Sequence, residues 1–94
     1  MKNSIMQTVD ECYVCRKKGE LYIHHAIFGT ANRKLSDKYG LTVKLCREHH
    51  VETNGVHGKN GHDLDLYIRQ MAQRAFEEKY GHDMWMNVFQ KNYL

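Results

Sequence analysis

Cys12 and Cys15 enclose a two-residue gap, and further along the chain Cys46 and His49 repeat that spacing. A C-x-x-C turn presents two thiolates to one ion, and a second pair with the same gap closes a tetrahedron, so these four side chains form a complete ligand set for a structural zinc. Such a staple constrains everything else, because it ties the start of the domain to a point near its middle. A chain of 94 residues builds only a modest core and is expected to need a cross-link of this kind. Disulfides are the poorer alternative. Three cysteines are an odd number, and no secretory h-region is present, so the thiols are expected to be reduced and the chain cytoplasmic. No apolar run is long enough to span a bilayer, and no membrane association is expected.

The segments between the ligands set the expected fold. Glu20 to Phe28, ELYIHHAIF, is rich in β-branched and aromatic residues and follows the turn-prone Lys17 to Gly19, so it reads as a strand after a knuckle. Gly29 to Gly40 is polar, bounded by glycines, and reads as a loop. Leu41 to Leu45 reads as a second strand that delivers the chain into CREHH, where a helix begins with Cys46, His49 and His50. The glycines between Asn54 and Gly61 stop that helix early and leave His57 at or beyond its end. Leu64, Tyr67, Ile68, Met71, Ala72, Ala75, Phe76 and Tyr80 recur in steps of three and four. They predict a long helix with Asp63 and Asp65 at its positive end and Gly81 at its stop. Asp83 is placed to cap a last turn carrying Trp85, Val88 and Phe89, whereas Met1 to Gln7 are expected to fray or pack loosely. The sum is a single α+β domain over residues 1–94, with the ligand-bearing part at 12–58 and a C-terminal helical extension at 62–94.

His50 could replace His49 as the fourth knuckle ligand, but the x-x spacing favours His49, which leaves His24, His25, His50, His57 and His62, with Asn54 among them. A tandem His-His followed by Cys-x-x-His-His and a further histidine is expected to hold a second metal. Imidazole-rich ligation favours Zn²⁺, Mn²⁺ or Ni²⁺, while Mg²⁺ works where water positions stay open. Adjacent strand residues face opposite sides, so one of His24 and His25 can look at an ion and the other at a water, the order alone leaving open which does which. The net charge of +3 suits a phosphate backbone without demanding one. Arg33, Lys34, Lys38, Lys44 and Arg47 surround the motif and are candidates to hold such a backbone, their ordinary reading being a solvated surface. Trp85, Phe76, Tyr67 and Ile68 are read as helix core rather than base-stacking platforms. His82 is expected to cap or to face solvent, and His62 to stand behind the site or to have no role.

The succession of C-x-x-C, a strand ending in His24-His25, NRK, KYGL, LTVKLC-x-x-H-H and GVH resembles the HNH branch of the His-Me finger endonucleases, in particular small phage and prophage members. FEEKYG and KNYL near the end resemble the tails of the same proteins, so the likeness covers most of the chain. It implies a ββα-metal fold in which His24 binds a catalytic divalent ion and His25 is the general base. His50 matches the first helix ligand. The next is His57, which Gly55 and Gly58 allow to curl back toward the ion, or its rival Asn54. The family places an asparagine before the second strand to fix the base. Here that stretch reads Tyr39-Gly40-Leu41, and Asn32 is the candidate to serve instead. The implied activity is hydrolysis of DNA to 5′ phosphate and 3′ hydroxyl ends in a bacterial host, beside phage packaging or recombination proteins. The competing readings are a noncatalytic zinc-bound module for nucleic acid or a protein, and a phage inhibitor on the same scaffold.

Overall fold

Strand β1 (Tyr22–His25) pairs antiparallel with strand β2 (Thr42–Leu45). Around them stand helices α1 (Thr30–Tyr39), α2 (Arg47–His50), α3 (His62–Tyr80) and α4 (His82–Phe89), giving an α+β chain in the order β1-α1-β2-α2-α3-α4. The computed structural model describes residues 4–52 and 55–94. The register sets Tyr22 opposite Leu45, His24 opposite Val43 and His25 opposite Thr42. β1 stops short of Phe28 for a local reason. The Ile27 N–H donates to Ser36 Oγ at 3.2 Å rather than to a strand partner, while that hydroxyl donates back to the Ile27 carbonyl at 2.6 Å.

The stretch from Gly29 to Gly40 is a helix, not the loop its polarity suggests. It lacks a continuous apolar stripe, and what holds it is tertiary. Ser36 is fully buried in its reciprocal bonds to Ile27, and Leu35 and Tyr39 pack against the core. Gly40 then ends it in the left-handed region at φ 72°. Its N–H donates to the Asp37 carbonyl and the Leu41 N–H to the Ser36 carbonyl, the Schellman arrangement for which glycine is suited.

The N-terminal segment is also more ordered than expected from residue 4 onward. The Ile5 N–H donates to the Gly40 carbonyl, Ser4 Oγ to the Thr42 carbonyl and the Tyr13 N–H to the Lys44 carbonyl. The alternate carbonyls of β2 are thus covered on the edge away from β1, which removes an open strand edge. The Lys44 N–H donates to Gln7 Oε1 at 2.8 Å.

Ile27, Leu41, Leu45, Ile68, Ala72, Phe76 and Trp85 form the core, all fully buried. The Trp85 ring lies 5.4 Å from Phe76 and 4.3 Å from Phe89, and its indole N–H donates to the Lys91 carbonyl. Two helical expectations need correction. Tyr67 is 49% exposed and is not core, because Ile68 and Ala72 already fill the inward stripe of α3. Asp83 does not cap α4, since Gly81 occupies the cap position and Asp83 lies in the first turn, at the positive end of the helix. No helix among the described residues is long and apolar enough to cross a membrane.

Replacing Ser36 by Ala strands the N–H and carbonyl of Ile27 in a buried position. The expected loss in denaturant unfolding is about 1–3 kcal/mol.

Candidate metal centres

The knuckle residues meet although they come from three parts of the chain. Cys12 and Cys15 belong to the N-terminal turn, Cys46 stands between β2 and α2, and His49 lies on α2. Their ligand atoms lie within 4.8 Å of one another, a group that could hold a metal ion. Cys46 Sγ is 3.2 Å from His49 Nδ1, Cys12 Sγ is 3.7 Å from the same nitrogen, and Cys15 Sγ is 3.7 Å from Cys46 Sγ. Zn–S bonds near 2.3 Å give tetrahedral edges of about 3.8 Å, so these separations suit four donors around one ion. The electrostatics lean the same way. Burial, the largest single influence on Cys12, raises its pKa. The backbone N–H groups of Cys15, Cys46 and Val14 together with the Cys15 thiol outweigh it and bring the pKa down to about 6. The thiolate is the form that binds metal.

A second cluster sits on the other side of α2. His24, His50 and His57 each offer a ring nitrogen, again within 4.8 Å of one another. The rings of His24 and His57 are 5.2 Å apart and those of His50 and His57 4.9 Å apart, between centroids. Two nitrogens in this group, His24 Nε2 and His50 Nδ1, are buried with no hydrogen-bond partner among the described residues. Leaving a buried polar atom unpaired costs about 1–3 kcal/mol. A cation shared among the rings would give such atoms a partner, and on that ground the residues present fit a metal. Burial first, then the neighbouring His57, His50, His25 and Arg69 charges, lower the His24 pKa to about 3. Burial and His57 lower that of His50 as well. Both imidazoles are therefore held neutral, as a ligand must be. An ion held by three ligands would keep coordination positions open, whereas the four donors of the knuckle would fill those of its ion.

His57 owes its place to close backbone packing. Its N–H donates to the His50 carbonyl, and the Val56 N–H donates to that of His49, so the loop after α2 folds back onto the helix. A Cβ on Gly55 would stand 2.8 Å from backbone atoms of His49 and His50, and one on Gly61 would stand 1.6 Å from the Gly55 carbonyl oxygen. Only glycine fits at either position, and Val56 plugs the loop into the core. Asn54, the rival ligand, lies outside the described residues.

Aromatic groups wall the cluster. Tyr22 stacks on His50 at 5.7 Å, and Phe28 meets both His24 and His57 edge-on. The Arg69 guanidinium lies 4.4 Å from the Phe28 ring centroid and is held by Asp65 and the Tyr93 hydroxyl. These supports carried no signal in the sequence, because each arrives from a distant element.

A cavity of about 450 Å³ opens beside the three histidines, and His25, Ile23, Thr30 and Arg33 share its lining. The His25 ring bonds through Nε2 to Asp37 Oδ1 at 2.8 Å. Asn32, put forward for that duty, stands on the first turn of α1. Asp37 carries no signal of its own in the sequence, since a polar stretch taken as a loop hides which of its residues share a face. Arg33, Lys34 and Lys38 are exposed along α1. Arg47 is exposed near Glu52, and Lys44 pairs with Asp10. His62 is exposed at the start of α3, and His82 is exposed and bonded to Glu77 at 2.8 Å.

Comparison with models of protein families, with curated proteins and with solved structures finds no match.

Replacing Cys46 by Ser is expected to abolish tight metal binding at the knuckle and to lower unfolding free energy by more than about 3 kcal/mol. Structural zinc contributes on the order of 10 kcal/mol to the folding of small domains. Elemental analysis of the purified variant beside its thermal melt checks both, and unchanged metal content would remove the staple.

Proposed function

We propose that this chain is a metal-dependent endonuclease or nickase that hydrolyses DNA phosphodiester bonds, built as a ββα-metal domain of the HNH kind and encoded by a phage or prophage. The observation that carries the reading is the juxtaposition of three converging imidazoles with a fourth, His25, on the wall of the same cavity. A module that only binds needs no histidine beside a ligand histidine. In this reading the knuckle of Cys12, Cys15, Cys46 and His49 holds structural zinc. His24, His50 and His57 hold a catalytic divalent ion, Mg²⁺, Mn²⁺, Zn²⁺ or Ni²⁺.

His25 takes the proton of the attacking water, a task for which imidazole is suited near neutral pH. An ion held by the three rings supplies positive charge against the negative charge that grows on the phosphate and on the departing 3′ oxygen. Arg33, on the cavity wall, binds the backbone beside the cut, and Lys34, Lys38 and Arg47 hold it further out. Tyr22, Phe28 and the Arg69 brace fix the ligand rings, which limits the reorganisation needed during reaction. The products carry 5′ phosphate and 3′ hydroxyl ends. A domain this small has little surface for reading sequence, so cutting is weakly specific or directed by a partner such as a packaging or recombination protein.

Nicking of a supercoiled plasmid tests the reading, with each of the four ions added back after chelation. The wild type is expected to nick, and His25→Ala to be slower by about 10²–10⁴-fold with its fold and metal content intact. Equal traces from both proteins under every ion would leave a noncatalytic nucleic-acid or protein-binding module in place of the enzyme.

A further inference from the structure

Helix α1 presents Thr30, Arg33 and Asp37 along one side, because steps of three and four residues keep side chains on a common face. Thr30 and Arg33 line the cavity. Asp37, one turn beyond Arg33, reaches the His25 ring. The rotation of the helix is fixed from the other side, where Ser36 is buried and bonded to Ile27 and where Leu35 and Tyr39 pack on the core. The His25 side chain is 13% exposed, so its ring is held in a largely enclosed position when it meets the carboxylate.

A carboxylate accepts hydrogen bonds and donates none, so Nε2 is the nitrogen that carries the hydrogen in this pair. A neutral imidazole protonated at Nε2 keeps its lone pair on Nδ1. We propose that Asp37 is the positioning residue of His25. It fixes the ring's orientation and its Nε2–H tautomer and leaves Nδ1 as the nitrogen that accepts a proton. The inference rests on the reading of His25 as general base. In the step it serves, an O–H bond of the attacking water breaks as its oxygen bonds to phosphorus. The proton passes to His25 Nδ1, the Nε2–H bond to Asp37 stays intact, and the electron pair of the broken phosphodiester bond leaves on the 3′ oxygen. Asp37 touches neither substrate nor ion. It acts through the ring, as partners behind a reacting histidine do.

Two readouts test this. Nitrogen-15 spectra of the histidine rings, recorded at mildly alkaline pH on the wild type, Asp37→Ala and Asp37→Asn, report the tautomer whether or not the protein cuts DNA. The wild-type His25 ring is expected as the Nε2–H form alone and the Ala variant as a mixture. The Asn variant retains the wild-type form, because its amide oxygen still accepts. In the plasmid assay, Asp37→Ala is expected to lower kcat by about 10- to 100-fold with KM and metal content unchanged, and Asp37→Asn to recover most of that loss. A wild-type ring protonated at Nδ1, or a kcat in Asp37→Ala equal to that of the wild type, overturns the proposal. A wild type that does not nick defeats the nuclease reading by itself, and the tautomer then decides the role of Asp37 alone.

Discussion

The pairing of β1 with β2 is the constraint on which both candidate metal centres depend. It sets His24 against Val43 and brings the end of β2, with Cys46 and α2 directly after it, alongside Tyr22. A slip of one residue would turn His24 out of the cluster and His25 into it, since successive strand residues face opposite sides. The other edge of β2 is equally occupied. The bonds from Ile5, Ser4 and Tyr13 to carbonyls of Gly40, Thr42 and Lys44 run the N-terminal segment along it, and so carry Cys12 to Cys46. One short strand thus collects the thiols from one side and the tandem histidines from the other.

Helix α2 divides the ligands between the two centres. His49 and His50 are neighbours, and about 100° of rotation per residue sends one ring to the cysteines and the other to His24 and His57. Four residues are too few to form a stable helix alone. Its shape is instead imposed by the knuckle on one flank and by the folded-back loop on the other, where the carbonyls of His49 and His50 accept from Val56 and His57. An ion held in the knuckle would therefore also steady the geometry of the three imidazoles. The glycines at 55 and 61 belong to the same device, because a side chain at either would push His57 away from His50.

What the sequence reveals and what it hides follow from how each signal is made. The ligand spacings around Cys12, Cys46 and His49 are local, and the apolar steps of α3 are periodic, so both are legible by inspection. Helix α1 is not, because its order comes from a buried hydroxyl and a glycine cap rather than from a stripe. The partner of His25 is hidden with it, since Asp37 reaches the ring only when residues 30–39 are wound into turns. Tyr67 fits the apolar period of α3 yet faces outward, period alone not giving the width of the buried stripe. Ser4 to Gln7 carry no pattern of their own and are ordered by carbonyls that β2 leaves open.

The central claim is that His24, His50 and His57 converge on a cation separate from the one in the knuckle. Counting the metal bound per chain is the most direct test, by equilibrium dialysis of stripped protein against Zn²⁺ or Co²⁺. Two equivalents are expected in the wild type and one in His24→Ala. A single equivalent in the wild type, or two retained in His24→Ala, would contradict it.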